Sequence, residues 1–223
     1  MIPVIDQGNG WVCVEKPAGI SVHNDPGKDL VSMLAGQPEF KGLDLLQPVH
    51  RLDRETSGLL VLATDKQSLT RLSQGFASGQ MKKHYQALVH GNFPENQPTG
   101  EWTWSLTKQA GGRKNPAGRG KKQGARTRYA VLAESPHYTL LDIELFTGKK
   151  HQIRRHAKLA GHPVVGDSRY GSPRAIAFLA EHRGFSRMAL HACCLAFKDL
   201  ATQILIKSPE LPGEIQTLLE KDR

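Results

Sequence analysis

The stretch His50–Thr64, HRLDRETSGLLVLAT, joins two kinds of sequence. Its second half, Ser57–Thr64 (SGLLVLAT), is a continuous apolar run of strand length, which predicts a strand buried on both faces. Its first half is polar, with His50, Arg51 and Arg54 around Asp53. Gly58 allows a tight entry into the strand, so the polar loop is expected at a sheet end, a usual place for catalytic groups. A carboxylate among cations tends to stay ionised, as a nucleophile or anionic stabiliser must. An ion-paired loop aspartate would look the same, and these residues taken alone favour that plainer role.

Outward from this stretch, Trp11–Glu15 (WVCVE) reads as a short strand stopped by Pro17 and Gly19, and residues 29–35 as one or two helical turns. Leu69, Leu72 and Phe76 recur at helical spacing, predicting an amphipathic helix over 66–76. Strands are predicted at 84–89, 102–106, 127–133, 138–146 and 202–206, and a last helix at 214–219. Met188–Phe197 is apolar and reads equally as helix or strand. Lys149–Ala160 reads as a helix with Thr147 as N-cap and Gly161 as stop. Lys150, Arg154 and Lys158 would then form a basic stripe along it. With no internal repeat and no Pro-, Gly- or Ser-rich linker, the expectation is an α+β chain with a mostly antiparallel sheet.

The 223 residues carry a formal charge of +9. Eight cations, Lys108, Arg113, Lys114, Arg119, Lys121, Lys122, Arg126 and Arg128, lie in one stretch with no acidic residue. Setting those eight aside from the 30 Lys and Arg leaves 22 against 21 acidic residues, so the basicity is one local patch. A polyanion is its natural partner. The interspersed glycines suggest a flexible loop over about 108–128. A second cluster, TGKKHQIRRH (147–156), could hold phosphate at a helix start or form a solvated helix face. His151 and His156 are not at the i, i+4 spacing of a helical zinc pair, so no metal is expected. Three cysteines, Cys13, Cys193 and Cys194, without C-x-x-C spacing fit a reducing cytoplasm rather than a disulfide framework. The sequence holds no membrane-spanning apolar run and no signal peptide, so a cytoplasmic location is expected.

Five segments, WVCVEKPAGISVH, HRLDRETSGLLVLA, KKHYQALVHG, TGKKHQIRRHAKLAGHPVVGDSRYG and RMALHACCLAF, resemble in order and spacing the successive motifs of the RluA family of pseudouridine synthases. The resemblance runs from about Trp11 to Phe197. It implies the pseudouridine synthase fold, a single catalytic domain over 1–223 of two abutting subdomains with a central cleft. It implies Asp53 as the catalytic aspartate, Arg154 as the arginine that pairs with it, and Tyr85 as the tyrosine that stacks on the target base. Arg51 matches the arginine that fills the space left by a flipped nucleotide. His50, Lys149, Lys150, His151, Arg155, Lys121, Lys122 and Arg126 are the further expected RNA contacts.

The activity implied is isomerisation of uridine in ribosomal RNA, transfer RNA or both. No cofactor, no nucleotide cofactor and no membrane would be involved, and the protein would act as a monomer. Lys149 stands where the family often has arginine, and the 110–124 stretch is longer and more basic than the family pattern leads one to expect. With Trp11 already in the catalytic domain, no S4-like domain is expected ahead of it. A non-catalytic RNA-binding protein that keeps the fold is the alternative; a metal-independent ribonuclease using His151 or His156 is a more distant one.

Overall fold

A computed structural model describes residues 1–222, which divide into two compact units. The first comprises Met1–Lys83 with Ala192–Pro209, and the second His84–His191 with the C-terminal segment from Glu210.

In the first unit, β1 (Val4–Gly8) and β2 (Trp11–Lys16) form an antiparallel pair, followed by α1 (Leu30–Ala35), β3 (Gln47–Pro48), β4 (Ser57–Ala63) and α2 (Lys66–Ala77). Every residue of β4 is buried, as its unbroken apolar run requires. Burying each of its leucines contributes about 1.5–3 kcal/mol relative to exposure. Gly58 has φ +111°, and a Cβ there would collide with the main chain of Ala192, so only glycine fits where β4 begins. The helix α2 follows as its spacing predicts, with Asp65 accepting from Ser68 N at 2.8 Å as N-cap and Leu72 in the core beside Leu59 and Val61.

The second unit is built on β5 (Lys82–His90), which runs into it from the first. There follow β6 (Thr99–Trp102), β7 (Leu106–Thr107), β8 (Lys122–Gln123), β9 (Thr127–Glu134) and β10 (Tyr138–Leu145). Its main antiparallel sheet has the order β5-β10-β9-β6, while β7 and β8 pair separately. Leu141 and Ile143 of β10 are fully buried, as their alternation predicts. The helices are α3 (Gln152–Leu159), α4 (Pro173–Arg183) and α5 (Gly213–Glu220). The ambiguous Met188–Phe197 segment contains most of a strand, β11 (Leu190–Asp199), whose outer part pairs with β12 (Thr202–Lys207) in the first unit.

Two expectations need correction. The strand predicted over 102–106 is broken in two, because the chain leaves the sheet at Trp104, whose carbonyl accepts from His156 Nε2 at 2.9 Å. The helix predicted from Lys149 begins only at Gln152. Thr147 does not cap it: its hydroxyl donates to Gln152 Oε1 at 2.7 Å, and His151 takes the cap position in a left-handed conformation with φ 54°. Lys150 therefore lies outside the helix and Arg154 is buried, so the basic stripe does not form. The sequence reading missed β1 and α4. Yet α4 carries its signals openly: Ser172 as N-cap, Pro173 in the first turn and Gly184 at a left-handed stop.

Candidate functional site

Asp53 sits half-buried in a tight turn, its carbonyl accepting from Thr56 N at 3.1 Å. The turn is tied to the Lys-Pro-x-Gly bend after β2. Gly19 N donates to Arg54 O at 2.9 Å, and Arg54 Nε returns a bond to Gly19 O at 2.8 Å. Beneath them the fully buried ammonium of Lys16 donates to Pro17 O (2.8 Å), Ile20 O (2.9 Å) and Arg54 O (3.2 Å). A buried ammonium is tolerated only where oxygens surround it, so Lys16 locks the two bends together and fixes the loop that carries Asp53. Lys16 went unmarked as a site residue although it lies within a quoted motif.

Arg51 is exposed beside this turn. His50 is half-buried and makes its contacts within the first unit. Its ring stacks on Phe76 at 4.5 Å and its Nε2 accepts from Val61 N at 3.1 Å. Burial, with a smaller contribution from Lys83, pushes its pKa down to about 3. It is a neutral acceptor that closes the turn onto β4.

In the second unit, Tyr85 is buried on β5 opposite Ile143 of β10. Arg154 is 3 % exposed and meets Asp167, which is fully buried, in a two-pronged pair: Nε–Oδ2 is 2.7 Å and Nη2–Oδ1 2.8 Å. Asp167 Oδ1 also accepts from the main-chain N–H groups of Arg169 and Tyr170, each at 2.9 Å. A planar guanidinium held along one edge by a saturated carboxylate is fixed in orientation. The Tyr170 ring lies 5.4 Å below the Arg154 guanidinium, and its hydroxyl is 3.1 Å from His151 Nδ1. Asp167 and Tyr170, in GDSRYG, are functional-site candidates the sequence reading left without a role. Their place within a motif segment is the only sequence signal that points to them, since burial leaves no mark there.

Arg155 was expected to touch RNA, and the structure corrects that: it is fully buried. Its Nε donates to Pro116 O (2.6 Å), Nη1 to Thr107 O (3.0 Å) and Lys150 O (3.1 Å), and Nη2 to Ala117 O (2.7 Å) and Thr107 Oγ1 (3.1 Å). Among the described residues no carboxylate pairs with it, and burial lowers its pKa. The basic loop is folded around this guanidinium. Arg169 adds bonds to Gly111 O (3.0 Å) and Ala110 O (3.2 Å), and Arg113 one to Ser168 O (3.3 Å). Four of the loop's carbonyls are thus held by Arg155 and Arg169, and the loop's own Arg113 reaches out to Ser168.

The loop's charges are also unequal. Arg126 grips Glu101 with bonds of 2.9 and 2.7 Å, and Arg128 contacts both Glu101 and Glu144 at 3.1 Å. Lys121 and Lys122 are exposed, with no ion pair among the described residues. Lys149 Nζ donates to Gln123 Oε1 at 2.7 Å, and Lys150 is exposed. Arg126 is thus largely neutralised, and Lys121 and Lys122 are among the loop cations that face solvent, with Lys108, Lys114 and Arg119. Among the described residues, no three His, Cys, Asp or Glu side chains cluster so as to hold a metal ion, and no helix is long and apolar enough to cross a membrane.

Residues 10–159 match the RNA pseudouridylate synthase family. The ribosomal large subunit pseudouridine synthase C of Vibrio vulnificus is 33% identical over 210 residues, covering 90% of this chain and 62% of that protein. The dual-specificity RNA pseudouridine synthase RluA of Pasteurella multocida is 35% identical over 207 residues, covering 91% and 89%. The chain therefore spans under two thirds of the first relative and most of the second. Among solved structures, human RNA pseudouridylate synthase domain containing 1 aligns with a TM-score of 0.79 at 21% identity, over 97% of this chain and 87% of that one. Human RNA pseudouridylate synthase domain containing 4 gives 0.78 at 24% identity, over 98% and 92%. At these identities the two establish a common fold.

Proposed function

The chain belongs to the RNA pseudouridylate synthase family, and we propose that it isomerises uridine to pseudouridine within RNA, with Asp53 as the catalytic carboxylate. The single observation that carries this reading is the match of residues 10–159 to that family, a stretch that contains Asp53, Tyr85 and Arg154. The arrangement around each supports it. The Asp53 turn is locked by Lys16, and Arg154 is aligned by Asp167. Such rigid support suits groups that must meet a substrate in one geometry.

The reaction breaks the C1′–N1 bond and forms C1′–C5, while the C5 proton is lost and N1 gains one. Atoms and electrons balance without an oxidant or a second substrate, so the chemistry calls for no cofactor. A stacked uracil cannot rotate, so the target is flipped out, with Arg51 entering the vacated space. Tyr85 stacks on the flipped base and assists proton removal at C5. Asp53 acts covalently or stabilises the reacting sugar, and Arg154 keeps it ionised and oriented. Lys121, Lys122, Lys149 and Lys150 supply phosphate contacts. The substrate is ribosomal RNA, transfer RNA or both, and the protein works as a cytoplasmic monomer.

Release of tritium from [5-³H]uridine in RNA lacking the modification tests this reading. Wild type should release label and Asp53→Asn should not. A wild type that binds the RNA yet releases none would leave a non-catalytic RNA-binding protein instead.

A further inference from the structure

We propose that Trp104 and the lysines of the neighbouring ordered loop form an RNA subsite within the second unit that takes an unpaired nucleotide, the indole stacking on its base while Lys121 and Lys122 meet the adjoining phosphates. The inference rests on the RNA reading above and adds the kind of RNA contacted. Of the three tryptophans, Trp11 and Trp102 are 3% and 4% exposed, whereas Trp104 is 44% exposed. Its neighbours Thr103 and Ser105 are exposed too, so the segment stands out from the sheet.

Trp104 is nonetheless fixed. The Nε2–H of His156, itself fully buried, donates to its carbonyl at 2.9 Å, and His156 Nδ1 lies 3.0 Å from Thr127 Oγ1. The two rings stand at 68° with centroids 6.1 Å apart. A large aromatic left in water on an anchored backbone is a stacking face that any base can use.

What surrounds it selects a polyanion. One residue beyond Ser105, β7 pairs with β8 in the register Leu106↔Gln123 and Thr107↔Lys122, so Lys122 lies on the strand beside the one that Trp104 leads into and Lys121 directly precedes it. Glu101 and Glu144 are occupied by Arg126 and Arg128, which leaves these two lysines uncompensated. Because Arg155 already holds the loop at Thr107, Pro116 and Ala117, RNA would meet a preformed surface and would not have to order a mobile one. Stacking needs an exposed base face, which a continuous duplex does not offer, so the occupant is a single-stranded or looped nucleotide.

Tryptophan fluorescence reads this site directly, since the other two indoles are buried. Titration of the full chain with single-stranded oligouridylate should quench the exposed emission, and duplex RNA of equal length should not. Trp104→Phe should remove the quench, and Trp104→Ala should weaken oligouridylate binding by about tenfold in anisotropy. Lys121→Gln with Lys122→Gln should lower the slope of log affinity against log salt by about 1.4. Equal quenching by duplex, or wild-type affinity in Trp104→Ala, would overturn the proposal. Loss of tritium release with the quench intact would instead count against the isomerase reading and leave this subsite standing.

Discussion

Arg154 and Arg155 are neighbours on α3, both buried, and they engage different surroundings in different ways. Arg154 meets the carboxylate of Asp167, a charge against a charge. Arg155 meets only main-chain carbonyls and one hydroxyl, among them Thr107, Pro116 and Ala117 of the basic loop. The first arrangement fixes the orientation of a side chain. The second fixes a stretch of backbone. Two adjacent residues of the same type thus do different structural work, one orienting a side chain and the other holding a loop, and the partner type tells them apart.

The largest effect should come from breaking the ion pair. Arg154→Met leaves Asp167 buried and uncompensated, which should cost about 3–5 kcal/mol in chemical denaturation. Adding Asp167→Asn removes the stranded charge and should restore most of that stability. Activity should stay lost in both. If the double variant is as unstable as the single, the pair is not what holds this region.

Arg155→Met offers no such single-site rescue, because its partners are carbonyls. Several buried acceptors lose their donors, and the expected cost is about 1–3 kcal/mol. The more telling readout is limited proteolysis between Lys108 and Lys122, which should accelerate markedly while Arg154→Met leaves that cleavage slow. Equal cleavage in the two variants would erase the distinction drawn between them.

A third test concerns acid. His50 and His191 have pKa values pushed down by burial to about 3 and about 4. Both are neutral in the fold but take up protons when unfolded, so stability should be full above the ordinary histidine pKa near 6.5 and fall as pH drops below it. Each contributes a slope of about 1.4 kcal/mol per pH unit. His50→Gln, which can still accept from Val61 N, should reduce the slope between pH 6 and 4 by about one proton. An unchanged slope would show that His50 is not held neutral. The smallest effect is expected at the surface: Glu101→Gln should leave the melting temperature nearly unchanged and strengthen RNA binding slightly, by releasing Arg126 and Arg128.

Much of this was legible in the sequence, for identifiable reasons. β4 announced itself because a strand buried on both faces needs an unbroken apolar run, and α2 because its apolar spacing matches one buried face. Asp53, Tyr85 and Arg154 were marked by motif resemblance, whereas the residues that hold two of their segments in place were passed over. Lys16 and Asp167 are charges whose role depends on being buried, and burial of a charge has no local sequence signature. The same blindness explains the misplacement of Arg155. Arg155 is expected on the RNA surface because an arginine in a basic segment reads as solvent-facing, and its ties to the loop carbonyls have no mark in the sequence. Thr147 looks like an N-cap, yet its hydroxyl bonds the side chain of Gln152, where the helix begins, and caps no helix N–H.

The central claim is that Asp53 is the carboxylate of a uridine isomerase. The most direct test measures tritium released from C5 of uridine in unmodified RNA by wild type and by Asp53→Asn, with RNA binding followed in the same samples. The account predicts stoichiometric release by wild type, none above background by Asp53→Asn, and similar binding by both. Release by Asp53→Asn at the wild-type rate would contradict it.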